Sequence, residues 1–544
     1  MIKCLYSAVA FIGIIFINSL QAVEEMKALK QKPNVIFILA DDQRADELGC
    51  MGDAIIKTPN IDKLASDGVL FTNSFATSAS CMPNRTCLLT GQWERCHGIG
   101  WNSNSALSGE QWAKTFPMVL KHNGYVTAYV GKNHTRGLRH WDFDYYYGSL
   151  NDHLGFYPKA RHSVFKNSTF DTQIEILGEA ANNFLEESQS FVEGMGENAK
   201  LLIKKRDEEK PFFLYLCFNL PHGASTLEMK QLQSDDEIYR SAYRDKKSLI
   251  YPPIGYLPKV DPLNPKIPFD VYNGKQISQY DYRFNLDTLR EQKLRVYQTI
   301  SGIDRIVGQV QDKINKLGIQ DNTVIIYSSD NGLLHGEYGY GGKCLLYEPS
   351  IRVPLIMMDP RMKRSRKGTR VEDLALSVDV APTILDLCGI KIPEVMQGKS
   401  LYSLMKGNRA EWRQDFFCES LILSQNYPLI QGVRNKEWKY IRYWPNQPVP
   451  SDYDEILSMG LNGEKPVFEE LFNLGSDPHE KKNLVMDSSV KEQLSTMRKR
   501  CIELLRESRG SPLASHPILP SSWLSEAPGK WKEILPLLSN QKPD

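Results

Sequence analysis

No surplus of charge marks this chain. Lys and Arg number 66 against 65 Asp and Glu, a formal net charge of +1. That balance supplies no global field for gripping nucleic acid and leaves no acidic tail. No internal repeat or low-complexity tract interrupts the 544 residues, which argues against solenoids and propellers. Past the N-terminus, no hydrophobic run approaches the ~20 residues that a membrane-spanning helix needs. Cysteine is sparse, 10 in all, and the intervals between Cys81, Cys87 and Cys96 match no zinc-site pattern. What is present is an ordinary globular balance, 41% hydrophobic and 24% charged. Such a chain can bury a sizeable core, as one large domain with a smaller companion.

The N-terminus stands apart. Met1-Ile2-Lys3 is a short basic start, Cys4 to Leu20 is almost entirely apolar, and Leu20-Gln21-Ala22 ends on a small residue. This pattern predicts a secretory signal over 1–22, and hence an exported protein, periplasmic or secreted. An uncleaved anchor is the alternative, but the run is short for a span and contains Ser7, Asn18 and Ser19. Once Cys4 leaves with the signal, an odd number of cysteines remains, which points to a free or specially used thiol.

Four short apolar runs end abruptly in polar residues. Val35–Ala40 meets Asp41-Asp42, and Tyr125–Val130 meets Gly131-Lys132-Asn133-His134. Phe212–Phe218 meets Asn219-Leu220-Pro221-His222, and Thr323–Tyr327 meets Ser328-Ser329-Asp330-Asn331-Gly332. Continuous runs rich in β-branched and aromatic residues predict strands buried on both faces. Val296, Ile300, Ile303, Val307, Val310, Ile314 and Leu317 predict one apolar stripe on a long helix stopped by Gly318. The expected fold is α/β, a large, mostly parallel central sheet sandwiched by helices. A smaller C-terminal α+β subdomain with an antiparallel sheet is expected after it, its hairpin formed by Ile430–Arg434 and Lys439–Tyr443. The division places a catalytic domain at 23–410 and the subdomain at 411–544. Gly223–Asn285, rich in Pro, Tyr and charge, reads as a surface insertion that walls a pocket. Arg361–Arg370 reads as a solvated loop.

Ligands bind beyond the carboxyl ends of the strands in such sheets, so the four polar motifs are expected to converge. Asp41, Asp42, Asp330 and Asn331 offer oxygen donors without thiolate or imidazole, a set suited to a hard cation, Ca²⁺ in preference to Mg²⁺. Lys132, His134, His222 and Lys343 would face that cation as cationic or proton-moving groups, making an anion site.

The segment Cys81-Met82-Pro83-Asn84-Arg85, followed by Leu88-Leu89-Thr90-Gly91, contains the pattern C-x-P-x-R. With it go Thr58-Pro59-Asn60, G-K-x-H, P-H, D-N-G, Gly342-Lys343, Arg352-Val353-Pro354-Leu355, Asp379–Thr383 and Glu470–Leu474. Over most of its length the chain resembles the type I sulfatases of the alkaline phosphatase superfamily. Their motif cysteine is oxidised to formylglycine (3-oxoalanine) by a maturing enzyme. The resemblance implies that Asp41, Asp42, Asp330 and Asn331 bind Ca²⁺, with modified Cys81 completing the site. It implies that Arg85 steadies the hydrated aldehyde and that Lys132 and Lys343 hold the sulfate. His134 is then the base for sulfate release, and His222 assists binding and, with Lys343, leaving-group protonation. A hydrated aldehyde has two hydroxyls on one carbon: one attacks sulfur, and the other allows sulfate to leave. Two departures stand out: Asn84 where serine is usual, and Asn133 at a spacer that is often aromatic.

The substrate expected from this resemblance and from export is a sulfated carbohydrate, and no stable membrane insertion is expected. A formylglycine-dependent phosphodiesterase or phosphonate monoester hydrolase is an alternative, as is a non-catalytic glycan-binding protein if Cys81 stays unmodified. Trp101 and Tyr145–Tyr147 read as packing residues before sugar-stacking ones. The sequons at Asn84 and Asn133 would place glycans in the active site, which favours a bacterial setting.

Overall fold

The computed structural model describes residues 32–509, apart from 101–104, 150–152, 187–191, 196–198, 204–206, 208, 226–227, 275–284, 423–426, 445–455, 457 and 462. The expected signal at 1–22, Trp101 and the end of the expected subdomain, 510–544, lie outside the described residues.

Ten strands form the main sheet. They are β1 (Asn34–Asp41), β2 (Val69–Phe71), β3 (Val126–Gly131), β4 (Tyr145–Ser149) and β5 (Val192–Met195). The other five are β6 (Ala199–Ile203), β7 (Phe212–Pro221), β8 (Thr323–Ser329), β9 (Leu355–Met358) and β10 (Thr369–Val371). Their order is β10-β2-β9-β8-β1-β7-β3-β4-β6-β5. The central strands β8, β1, β7, β3 and β4 pair in parallel. Strands β9 and β6 run against their neighbours. The sheet is therefore mixed but mostly parallel.

The continuous apolar runs follow from burial on both faces. Along β1, Ile36, Ile38 and Ala40 enter one core, while Val35, Phe37 and Leu39 enter a second core on the opposite face. The first core is closed by α1 (Pro59–Asp67), α4 (Gln173–Glu186) and α5 (Leu286–Lys316), the second by α2 (Cys81–Thr90), α3 (Phe116–His122) and α6 (Val380–Leu387). Helix α5 begins where the Asn285 side chain accepts the Thr288 N–H at 2.8 Å. Its stripe from Val296 to Ile314 is buried as expected. Leu317 departs from that stripe and is exposed, because it lies past the last helical turn, where Gly318 (φ +70°) bends the chain away.

A second, antiparallel sheet follows in the order β11 (Asp415–Ser420), β12 (Ile430–Asn435), β13 (Trp438–Tyr443) and β14 (Phe468–Asn473). Helix α7 (Lys491–Arg509) lays Leu494, Met497, Cys501 and Leu505 on one face. On the other face, Phe416, Cys418, Ile441 and Tyr443 share a core with Phe75, Leu345 and Leu346, so the sheet buttresses the loop that follows Lys343. Arg95 and Glu419, both fully buried, form an ion pair across the same junction.

The insertion is less superficial than its composition implied. Tyr239, Val260, Ile267 and Tyr272 are buried. Its backbone props the 333–343 loop through Leu257 N–H to Gly336 O (3.0 Å) and Tyr338 N–H to Gly255 O (2.8 Å). The cysteine parity argument is also corrected: all nine described cysteines are free thiols, so parity does not single out Cys81.

Candidate active site

All four strand-end motifs reach one point beyond β1, β3, β7 and β8. The aspartates can share a target because the register of β1 on β7 shifts between Leu39 and Asp41. Asp42 then takes φ +65°, a strained conformation for a residue with a side chain. The alternation that would send adjacent side chains to opposite faces is thereby broken. At the end of β3, Gly131 (φ +112°) provides the turn, and a Cβ there would stand 1.9 Å from Cys217 O. The turn is closed by Lys132 N–H to Cys217 O at 2.8 Å. Lys343 comes from the other side, on a loop held by Cys344 N–H to Ala79 O at 2.9 Å, next to the start of α2.

Carboxylate oxygens of Asp41, Asp42 and Asp330 lie within 4.8 Å of one another, and all three residues are buried. Each is matched by a cation. Lys132 donates to Asp41 Oδ2, Lys343 to Asp42 Oδ1 at 2.5 Å, and Arg85 Nε to Asp330 Oδ2 at 2.6 Å. Arg85 also lies 3.8 Å from Asp41 Oδ2. Asp330 Oδ1 accepts the backbone N–H groups of Asp42 (3.1 Å) and Asn331 (2.9 Å). Asn331 Nδ2 donates to Asp42 Oδ1 (2.6 Å) and Gly332 O (2.8 Å), both acceptors, which fixes the amide orientation.

These contacts use one atom of each ligand and leave another. Asp41 Oδ1, Asp42 Oδ2 and Asn331 Oδ1 are buried with no hydrogen-bond partner among the described residues. Buried acceptors left without donors are costly unless a cation or water meets them. Three such oxygens at one point therefore fit a hard divalent metal.

Burial is the largest influence on these carboxyls and acts upward. At Asp41 the positive charges of Lys132, Arg85 and Lys343, with the nearby His222 imidazole, outweigh it and hold the group well below its ordinary range. At Asp42 burial wins, and at Asp330 it pushes the carboxyl up to about 6, with Asp41 adding to the rise.

Cys81 is the first residue of α2, and its Sγ lies 3.2 Å from His134 Nδ1. Sγ stands where the oxygens of a converted residue would sit, at a helix N-terminus that favours negative charge. Burial raises the thiol above its ordinary value, so the unmodified side chain is a protonated and poor nucleophile. Burial, then Lys132 and Arg85, hold His134 well below its ordinary value. His222 is pushed down to about 3, burial again being the largest cause. Its Nε2 stands 3.8 Å from Asp42 Oδ2. Lys343 is held protonated by Asp42 and its neighbours against the opposing effect of burial.

Every site residue singled out from the sequence thus lies in this cluster. The two departures leave it intact. Asn84 Nδ2 donates to Asp330 O and its Oδ1 accepts from Ser377 Oγ at 2.7 Å, tying α2 to the acidic loop. Asn133 N–H donates to Ser149 Oγ at 3.0 Å. Both asparagine side chains are buried, so neither is open to a glycan in the fold. Tyr145 and Tyr146 are core residues, and Tyr147 packs on Phe165 with ring centroids 5.2 Å apart.

Two residues of the centre were not singled out from the sequence, Asn219 and His153. Asn219 Nδ2 donates to Asp41 Oδ2 at 2.8 Å and faces His153 Nδ1 at 3.1 Å. Asn219 had a usable signal, since it sits beside His222 at a strand end. His153 had only its place just past the short strand β4.

Comparison with known proteins agrees with this geometry. The family model described as Sulfatase matches residues 33–390, and that of the N-sulphoglucosamine sulphohydrolase C-terminal region matches 336–456. The chain is 26% identical over 532 residues to an N-acetylglucosamine-6-O-sulfatase of Bacteroides thetaiotaomicron, covering 88% of this chain and 86% of the relative. It is 26% identical over 506 residues to an arylsulfatase of Clostridium perfringens, covering 87% and 94%. A structure solved in complex with its substrate D-glucosamine-2-N,6-O-disulfate shares the fold with a TM-score of 0.66 at 21% identity, covering 89% and 99%. So does a phosphonate monoester hydrolase of Agrobacterium radiobacter, at 0.63 and 22%, covering 89% and 97%. With a family match over most of its length and an acidic, cation-ringed cluster beyond the strand ends, the chain belongs to the sulfatase family and is a sulfuric ester hydrolase.

Proposed function

We propose that this sulfatase removes sulfate from a sulfated carbohydrate, with Cys81 converted to formylglycine by a maturing enzyme and Ca²⁺ held by Asp41, Asp42, Asp330 and Asn331. The observation that carries this reading is the set of orphaned oxygens on Asp41, Asp42 and Asn331, assembled beside Cys81 at a helix N-terminus. When present, the hydrated aldehyde supplies a nucleophilic oxygen and a second hydroxyl through which sulfate departs, while the cation supplies Lewis acidity.

The chain's own residues do the rest. Lys132 and Lys343 present positive charge to a sulfate group, and Arg85 holds Asp330 in line with Cys81. Asp330 takes the proton of the attacking hydroxyl. His134, neutral and in contact with position 81, is the base for sulfate release. His222 is neutral in the free centre and contributes an N–H or acceptor to the bound ester. The proton available to the leaving oxygen is therefore held on Lys343.

The carbohydrate reading draws support from relatives named for N-acetylglucosamine-6-O-sulfate and for ulvan. Among the described residues no helix is long and apolar enough to cross a membrane, and we place the protein outside the cytoplasm on its N-terminal signal. We retain a catalytic region to residue 410 and a C-terminal subdomain beyond it, the latter built on the four-stranded sheet that begins at Asp415.

The test is sulfate release from a panel of sulfated saccharides and an aryl sulfate, with and without chelator, beside a matched aryl phosphodiester. Chelator-sensitive release from a saccharide is expected, with the phosphodiester turned over more slowly. No release from any sulfate ester by protein whose Cys81 is fully converted overturns the reading.

A further inference from the structure

The mechanism above uses two imidazoles, but the centre contains a third. The His153 ring lies 4.6 Å from the ring of His222 and 5.1 Å from that of His134, centroid to centroid. Its conformation is dictated by Asn219, a fully buried amide whose every polar atom is engaged. Asn219 Oδ1 accepts the backbone N–H groups of Leu154 (2.8 Å) and Gly155 (3.4 Å). Its backbone N–H donates to Gln173 Oε1 at 2.7 Å, and Gln173 in turn donates to Gly155 O at 2.6 Å. With the oxygen fixed on backbone donors, Nδ2 must be the atom that meets Asp41 Oδ2 and His153 Nδ1. An N–H that faces a ring nitrogen requires that nitrogen to accept. His153 is thereby confined to the neutral form that carries its proton on Nε2, because an Nδ1 proton would confront the Asn219 amide.

We propose that His153 is a positioning residue of the sulfatase centre: anchored through Asn219 to Asp41, it sets His222 for the leaving oxygen without adding positive charge beside it or beside His134. The inference rests on the sulfatase reading but goes beyond it, by coupling a cation-binding carboxylate to the His222 imidazole through one amide. Its role is geometric, and geometry matters most where a proton must be delivered. A misplaced His222 costs little when the leaving group needs no proton and much when it does.

The experiment compares the full converted enzyme with His153→Phe, which keeps a ring but no acceptor. His153→Asn keeps an acceptor where Nδ1 was, and His153→Gln breaks the Asn219 bond with little change in packing. Each is assayed on 4-nitrophenyl sulfate and on phenyl sulfate, whose leaving group is the more basic, with Cys81 conversion checked by mass and folding by thermal melt. For the Phe and Gln variants we expect kcat losses of ~100-fold on phenyl sulfate, the scale of a misaligned catalytic group, and below ~10-fold on 4-nitrophenyl sulfate. KM should move little, and the Asn variant should recover most of the loss. Equal losses on both esters, or no loss, overturn the proposal. If His153→Phe fails to fold, the Gln and Asn pair decides the same question. A readout independent of turnover is the tautomer of His153 in ¹⁵N-histidine-labelled protein. Protonation at Nε2 is expected, lost in Asn219→Leu, and a proton found on Nδ1 refutes the anchor. Failure of the wild type on every sulfate ester would instead fall on the sulfatase reading, leaving the tautomer measurement to judge His153.

Discussion

Asp330→Asn should have opposite effects on stability with and without the divalent cation. The substitution keeps the size of the side chain but removes one of three buried carboxylate charges. Burial, reinforced by Asp41, pushes Asp330 from an ordinary 3.8 to about 6 despite Arg85 and the two lysines. At pH 7.5 the ionised group is therefore a burden to the metal-free fold, by ~3 kcal/mol at 1.36 kcal/mol per pH unit. Because the folded value is raised, the burden is absent below the ordinary value, grows as pH rises from ~4 to ~6, and is complete above that. In chelator at pH 7.5 the Asn variant should thus be the more stable, by ~3 °C on an unfolding entropy of roughly 1 kcal/mol/K for a chain of this size. The difference should vanish near pH 4. With Ca²⁺ at ~100 times its dissociation constant, the wild type should gain ~2.7 kcal/mol, and the variant little or nothing. Scanning calorimetry on unconverted protein reads all four conditions without turnover. A chelated variant that melts below the chelated wild type, or an equal response of both proteins to Ca²⁺, refutes the assignment of Asp330 as a strained, cation-relieved carboxylate.

Two further outcomes follow from the same geometry. His222, pushed down to about 3, stays neutral as pH falls through 6.5, so the acid limb of kcat/KM should follow the proton-accepting Asp330, at or below about 6, and keep its position in His222→Gln; a limb that moves in that variant would show an imidazole of ordinary basicity at work. Gly131→Ala drives a methyl to 1.9 Å from Cys217 O at φ +112° and should lower kcat by ~100-fold or more, because the turn delivers both Lys132 and His134; near-normal turnover in a folded variant would show that the turn tolerates a side chain.

The parts of this fold legible in the sequence were those encoded in which residues are apolar and where the run stops. The Val35–Ala40 and Thr323–Tyr327 runs identify strands because both faces are buried, and the polar residues after them must sit at strand ends. Convergence at the carboxyl edge of the sheet then follows from topology rather than from any single motif. What stayed hidden depended on partners distant in sequence. Strand β6 (Ala199–Ile203) is a short segment, and its direction comes from pairing with β4 on one side and β5 on the other, which no local pattern reports. Val260, Ile267 and Tyr272 sit in a stretch dominated by Pro and charge, yet they are buried because the 333–343 loop and the second sheet cover them. Asn219 and His153 escaped for the same reason. An amide and an imidazole in loops carry no periodicity, and their importance arises only once Asp41, His134 and His222 have been brought beside them.

The charges of the centre also explain why its strain persists. Asp41, Asp42 and Asp330 bring three negative charges, and Lys132, Lys343 and Arg85 bring three positive ones, each in a direct pair. With the histidines held neutral by burial, the metal-free cluster is formally balanced, which is what lets six ionised groups be buried together at all. A divalent cation leaves the loaded centre with two positive charges, and a tetrahedral dianion restores the balance. The site is therefore most complementary to the state in which the full charge of sulfate has developed, as it departs from residue 81, and less so to the singly charged ester. The same argument makes free sulfate and phosphate competitive inhibitors of comparable strength. Discrimination between sulfate and phosphate esters cannot then come from the net balance of these six charges; it has to come from the placement of the groups that meet the leaving oxygen, Lys343 as a proton donor, and His222 with the His153 that sets its position.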